Sequence, residues 1–260
     1  MLPRCIARDA TKGARLTRQA GVRKPERVVK SPPMTAVQGK NEKAQMSSGP
    51  QAVRTQRPNY FVAVQVSHVP EACTAIKRVQ STLLENEPDL KQAIVDVESA
   101  HITLGVFHSG SESTIESAKE ALRAAVQENA LRQTVISLAG ISTFRNEVLY
   151  IDVADGEGKE NLSHMAFSVR EQLEKRGVVE SAAKMLAFVP HVTIAKTSKM
   201  KWTRKRGRTK IPTSAYEACV GVDDEGGVVV PMVEIQLCAM SNRAEGHYYS
   251  VEETVPLISD

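Results

Sequence analysis

The residues best able to do chemistry fall in two tetrapeptides of one pattern: His101-Ile102-Thr103-Leu104 and, ninety residues later, His191-Val192-Thr193-Ile194. In an extended chain alternate side chains share a face, so each histidine projects beside its threonine while the apolar pair turns away. Two such strands side by side present two imidazoles and two hydroxyls to one space. Histidine titrates near neutrality, so one ring can remove a proton while the other supplies one. Hydroxyls beside them can donate to anionic oxygens, and the set suits proton transfer across a phosphate. A single His-x-Thr means little in a chain with six histidines and sixteen threonines, and a strand histidine is often a satisfied core residue. A second copy with apolar residues at the same places weighs against that reading for the pair. His68, His108, His164 and His247 have no threonine two residues on and read as structural or exposed.

Composition bounds the rest. Hydrophobic residues make up 42% of the 260 residues, enough for a substantial core. No apolar run approaches the roughly 20 residues that cross a bilayer, so no membrane span is expected. Cys5, Cys73, Cys219 and Cys238 are widely separated, which argues against a zinc knuckle or a disulfide framework and fits a reducing compartment. The net charge of +4 hides an asymmetry. Residues 1–57 hold 13 Lys or Arg against 3 acids, and Lys196 to Tyr216 hold eight basic residues and no acid, which leaves the remainder acidic. A charge run is commonly a solvated face, but one placed directly after the second His-x-Thr favours an anionic substrate.

The elements that must position these residues follow from periodicity. Residues 1–57 mix Pro, Gly, Ser, Gln and basic residues without a period and read as a disordered basic tail. Within it Arg4, Arg8, Lys12, Arg15 and Arg18 fall at roughly helical spacing, as in a mitochondrial transit peptide. A nucleic-acid or nuclear-import tail, or plain disorder on a cytoplasmic or nuclear protein, fits the same residues. The folded domain is expected over 58–258. It begins with a strand over 59–66, then a helix from Pro70 toward Pro88 carrying Ile76, Val79 and Leu83 on one stripe. The first His-x-Thr strand, 100–107, precedes a helix over 111–131. Strands 134–144 and 147–153 flank Arg145-Asn146 as a hairpin. A third helix, 159–176, stops at Gly177, and the second His-x-Thr strand is expected over 187–195, with Pro190 tolerated at its start. After the basic loop come a short helical segment over 214–220 and strands over 230–240 and 248–256. Strands and helices thus alternate twice, with one His-x-Thr strand in each half, and equivalent side chains of two similar lobes converge in the groove between them.

The paired motifs and their interval resemble the 2H phosphoesterase superfamily. Pro58-Asn59-Tyr60-Phe61, Gly140-Ile141-Ser142-Thr143-Phe144-Arg145-Asn146, Phe188-Val189-Pro190-His191-Val192-Thr193 and Lys196-Thr197-Ser198-Lys199 leading to Trp202 are similar, within it, to the central domain of the A-kinase anchoring protein 7 subfamily. The resemblance implies an α+β fold of two lobes, the LigT-like arrangement of two mostly antiparallel sheets lining a central groove with helices outside. It implies His101, Thr103, His191 and Thr193 as the catalytic set, no metal and no other cofactor, and a monomer. The implied activity is cleavage of 2',5'-linked oligoadenylate or a related RNA phosphodiester. An RNA-end or 2',3'-cyclic nucleotide phosphodiesterase, and a non-catalytic AMP-binding module, stay open beside it. The two histidines are not assigned as acid or base by sequence.

Lys199, Lys201, Arg204, Lys205 and Lys210 are candidates to neutralise flanking phosphates, and Trp202 to stack on a base. The alternative makes Trp202 the loop's hydrophobic anchor and the lysines its solvated rim. Tyr60 and Phe144 are further stacking candidates by family position. Kinase-anchoring members of the subfamily carry an amphipathic helix after this domain; the chain ends at Asp260, so protein kinase A anchoring is not expected here.

Overall fold

A computed structural model describes residues 56–180, 187–200, 209–217, 219, 227–241, 243 and 246–259. The expectations for the basic tail through residue 55 lie outside these residues. The first sheet-forming segment is β1 (Tyr60–Gln65), followed by α1 (Pro70–Asn86), β2 (His101–Phe107), α2 (Glu112–Glu128) and the hairpin of β3 (Thr134–Phe144) with β4 (Val148–Val153). Then come α3 (Glu157–Lys175), β5 (His191–Lys196), β6 (Val228–Met232), β7 (Glu234–Ala239) and β8 (Ser250–Pro256).

Local chemistry accounts for these boundaries. Helix α1 opens on Pro70, which lacks the N–H a first turn leaves unused. Helix α2 is capped by Ser111, whose hydroxyl accepts from the Thr114 amide at 3.3 Å, and buries Ile115, Ala118, Leu122 and Ala125 on one stripe. Between β3 and β4, Arg145 and Asn146 both take the left-handed conformation, with φ of 56° and 57°. With the Glu147 amide donating to the Phe144 carbonyl at 2.9 Å, they form the primed turn that a tight hairpin favours. At Gly158, in the first turn of α3, an added Cβ would lie 2.2 Å from the Val135 carbonyl oxygen, so only glycine lets the helix approach β3 so closely.

The strands form two four-stranded sheets, ordered β2-β1-β7-β8 and β5-β4-β3-β6, antiparallel throughout. Each His-x-Thr strand is an edge strand, and β2 and β5 are in contact with each other. The lobes are equivalent in a second respect. Pairing slips at Val62/Ala63 opposite β2 and at Leu149/Tyr150 opposite β5, which leaves Leu104 and Ile194 as the extra, bulged residues. These are the fourth residues of the two motifs. Helices α2 and α3 pack on each other, α3 reaches β2 and β3, and α1 packs on β5 and β6. One apolar cluster, including Val62, Ile102, Leu104, Ile151, Val192 and Ile194, fills the space between the layers.

Two expected strands change. The run expected as one strand over 230–240 is divided at Val233: β6 lies at the edge of one sheet and β7 in the interior of the other. Pro231 cannot donate to a ladder and is confined to an edge, whereas Ile235, Leu237 and Cys238 are buried enough for a central strand. The chain crosses between lobes at this point. The second His-x-Thr strand begins at His191, and 187–190 stand outside it. The missing N–H of Pro190 sets that limit. Of the short segment expected over 214–220, the described residues include a 3-10 turn, Thr213–Ala215, while 218 and 220 lie outside them.

Candidate active site

The alternation of β2 and β5 places both histidines and both threonines half-buried while Ile102, Leu104, Val192 and Ile194 are wholly inside. The two motifs converge: Thr103 and His191 line one cavity of about 430 Å³.

The imidazoles are held in the same way. His101 Nδ1 lies 2.7 Å from the Ser99 carbonyl oxygen and His191 Nδ1 lies 2.8 Å from that of Val189, in each case two residues upstream. A carbonyl can only accept, so Nδ1–H donates in both rings and Nε2 is the nitrogen left to exchange protons. Aromatic walls then fix each ring. Phe61 stacks on His101 at 4.7 Å and Tyr249 meets it edge-on at 5.5 Å. Phe144 meets His191 edge-on at 4.9 Å, and Tyr150, stacked on Phe144 at 4.4 Å, flanks it at 5.2 Å.

Their electrostatics differ. Burial, helped by the charges of Lys196 and His191, lowers the His101 pKa to about 4 against the upward pull of the Ser99 carbonyl. Burial also lowers that of His191, but there the Val189 carbonyl and the Asp152 carboxylate, its register partner on β4, oppose the shift. His101 is therefore the more firmly neutral ring. Lys196, at the exposed end of β5, has its own pKa lowered by partial desolvation and by Lys199, and its charge acts on His101.

The amino-acid pattern over residues 58–257 matches the family described as the AKAP7 2'5' RNA ligase-like domain. The chain belongs to this family. It is thereby a member of the 2H phosphoesterase superfamily, the resemblance carried by its paired motifs. Human A-kinase anchor protein 7 isoform gamma is 27% identical over 204 residues, which cover 76% of this chain and 57% of that protein. The chain thus matches little more than half the length of that relative. E. coli LigT complexed with 3'-AMP shares the fold with a TM-score of 0.52 at 15% identity, over 77% of this chain and 98% of LigT. TT0787 of Thermus thermophilus does so with a TM-score of 0.54 at 17% identity, over 76% of this chain and 97% of that one.

Within this AKAP7-like domain the other expected site residues are distributed unevenly. Phe144 stands against His191. Tyr60 does not reach the site: it points to the opposite face of β1 and stacks on Phe107 at 5.6 Å, because paired residues share a face and Phe107 turns inward. Its neighbour Phe61 takes the place expected of it. Lys199 donates to the Ile94 carbonyl and is exposed at the 3-10 turn after β5. Lys210 is exposed. Lys201, Trp202, Arg204 and Lys205 lie outside the described residues. Sequence reasoning missed Phe61, Tyr150, Lys196 and Tyr249. Parity along β4 relative to the motif was a usable signal for Tyr150, which pairs with Thr193; nothing local announces Tyr249, which arrives from the end of the chain. No described helix is long and apolar enough to cross a membrane.

Proposed function

We propose that this domain cleaves 2',5'-linked oligoadenylate or a related RNA phosphodiester without a metal, by general acid–base catalysis between His101 and His191. The observation that carries the reading is the matched tethering of the two imidazoles, each donating Nδ1–H to the carbonyl two residues upstream and keeping Nε2 for proton exchange. The family description and the nucleotide bound by LigT agree with a nucleotide substrate.

His101, the ring held neutral, is the base, and His191, whose charged form Asp152 favours, is the acid. On a 2',5' linkage His101 Nε2 removes the proton of the neighbouring 3'-hydroxyl, whose oxygen attacks phosphorus. The bond from phosphorus to the 5'-oxygen breaks, and His191 Nε2–H protonates that oxygen. The products are a 2',3'-cyclic phosphate and a free 5'-hydroxyl. With a cyclic phosphate as substrate, water takes the place of the 3'-hydroxyl. Thr103 and Thr193 hydroxyls donate to the non-bridging oxygens, and Lys196 opposes their charge. These contacts strengthen as charge gathers in the transition state, where they accelerate the reaction. Each proton transfer is worth about 10²- to 10⁴-fold.

The test is incubation of the purified chain with 2',5'- and 3',5'-linked triadenylate in EDTA, with products separated by chromatography. Cleavage of the 2',5' isomer to a cyclic phosphate is expected. Activity abolished by EDTA would overturn the metal-free mechanism, and tight AMP binding without cleavage of either isomer would make the domain a binder.

A further inference from the structure

The two imidazoles are walled by different means. Phe144 and Tyr150, which flank His191, belong to β3 and β4 of its own sheet. Of the two rings on His101, Phe61 is on β1, but Tyr249 comes just before β8 and lies outside any strand. No ladder holds Tyr249 in place, so its position depends on other contacts.

Arg243, in the connection from β7 to β8, supplies them. One η nitrogen donates to the Asp96 carboxylate and the other to the His247 carbonyl oxygen at 3.1 Å, while the guanidinium lies 5.5 Å from the centre of the Tyr249 ring. The Arg243 and Asp96 side chains are 20% and 30% exposed, so solvent screens the pair less than a surface pair. A planar fork can serve a carboxylate, a carbonyl and a ring face together, which a lysine ammonium cannot. The arginine thus fastens the connection to the segment that leads into β2.

Asp96 leads back to the histidine. Its main-chain oxygen accepts from the Ser99 amide at 3.0 Å and from the Ser99 hydroxyl at 2.7 Å. The Ser99 carbonyl is the one that receives Nδ1–H of His101, and the Tyr249 hydroxyl interacts with the Ser99 side chain. Two routes therefore leave Arg243 and both end on His101: one through Asp96 and Ser99 to Nδ1, the other through Tyr249 to the ring.

We infer that Arg243 is a positioning residue for His101: by clamping the β7–β8 connection to Asp96 it holds Tyr249 against the ring and keeps Ser99 in place to receive Nδ1–H. The inference rests on the phosphodiesterase reading only for the use made of Nε2, and the state of the ring is measurable without turnover.

The charges of the pair give the test its discrimination. Acting by charge alone, loss of Arg243 would raise the pH at which His101 titrates and loss of Asp96 would lower it. Acting as a clamp, either loss frees the same connection and moves the ring the same way. The experiment is ¹⁵N NMR of the imidazoles in the whole chain, with His101 assigned by its absence from His101→Gln, for the wild type, Arg243→Gln, Asp96→Ala and the double variant, run beside the triadenylate cleavage assay. Asp96→Ala keeps the main-chain oxygen that holds Ser99, and Lys196 and His191, the other charged groups acting on the ring, are the same in every variant. Wild-type His101 should be almost wholly the Nδ1–H tautomer. Both single variants should show mixed tautomers and titrate above the wild-type value of about 4, and the double variant should go no further than either. In each, kcat should fall by about 10- to 100-fold with KM within about threefold, as for a misplaced catalytic group. Arg243→Lys, which keeps the ion pair without the grip on His247 and Tyr249, should restore the tautomer in part. Opposite shifts in the two single variants, or a ring unchanged in both, would overturn the positioning role while cleavage by the wild type leaves the phosphodiesterase reading standing. A ring that responds to both variants in a chain that cleaves neither isomer would leave the positioning role standing and remove the activity.

Discussion

His101 is partly buried and its protonation is opposed by desolvation, so folding and proton binding at this ring must be linked. In the unfolded chain the imidazole titrates near 6.5; in the folded domain it titrates at about 4. Between those values the unfolded state binds more protons, and stability must fall as pH falls. The contribution is complete above pH 6.5, is lost progressively on acidification, and is gone below pH 4. From the two pKa values the loss between pH 7 and pH 5 comes to about 2 kcal/mol. Urea unfolding of the wild type and of His101→Gln at both pH values isolates the effect, because every other group titrates in both proteins. The wild type should lose about 2 kcal/mol more than the variant on moving to pH 5, roughly 1 M in midpoint for an m-value near 2 kcal/mol/M. Equal losses in the two proteins would mean that the ring is not held neutral by the fold, and the assignment of His101 as base would lose its footing.

The pH dependence of kcat/KM should fall on the acid side as His101 in the free enzyme becomes protonated and on the basic side at a value below 6.5 set by His191, while the profile of kcat, measured with the phosphate bound, should move to higher pH. His101→Ala, His191→Ala and the double variant should have kcat values within about tenfold of one another, each at least 10³-fold below wild type, because the pair works as a unit; single-turnover cleavage of triadenylate checks this. Tyr249→Leu, which removes the edge of the ring meeting His101 and the hydroxyl contact with Ser99, should raise the acid limb of kcat/KM toward about 6.5, the free imidazole value, with a smaller effect on the basic limb. Gly158→Ala should destabilise by about 2 to 3 kcal/mol through its clash with the Val135 carbonyl, read as a lowered midpoint in urea with activity per folded molecule unchanged.

The motifs were legible because strand alternation alone fixes which side chains share a face, and that logic holds for His101 with Thr103 and for His191 with Thr193. The helices were legible for a similar reason: stripes such as Ile115, Ala118 and Leu122 have no other use. What stayed hidden depends on pairing at long range. Tyr60 and Phe61 are equally aromatic and adjacent, and only the register of β1 against β2 decides that Phe61 meets the histidine. The chain's crossing between lobes at Val233 is invisible in a run of apolar residues, although Pro231 marks which part must be an edge. Arg170 and Leu104 are 66 residues apart, and the bulge that joins them has no local signature.

Those bulges also bear on why there is a groove at all. β2 and β5 are edge strands of the two sheets, and they touch. Unfinished edges tend to zip together, and two four-stranded sheets joined through these edges would form one continuous surface with no cleft. An extra residue in each edge throws the spacing of its amides out of step, and the carbonyl it releases is taken by Arg170 on one side and by Val95 and Gln80 on the other. Each edge reaches the other already occupied. The same irregularity, one residue beyond each threonine, thus keeps the two halves of the molecule from sealing over the space in which the histidines and threonines meet.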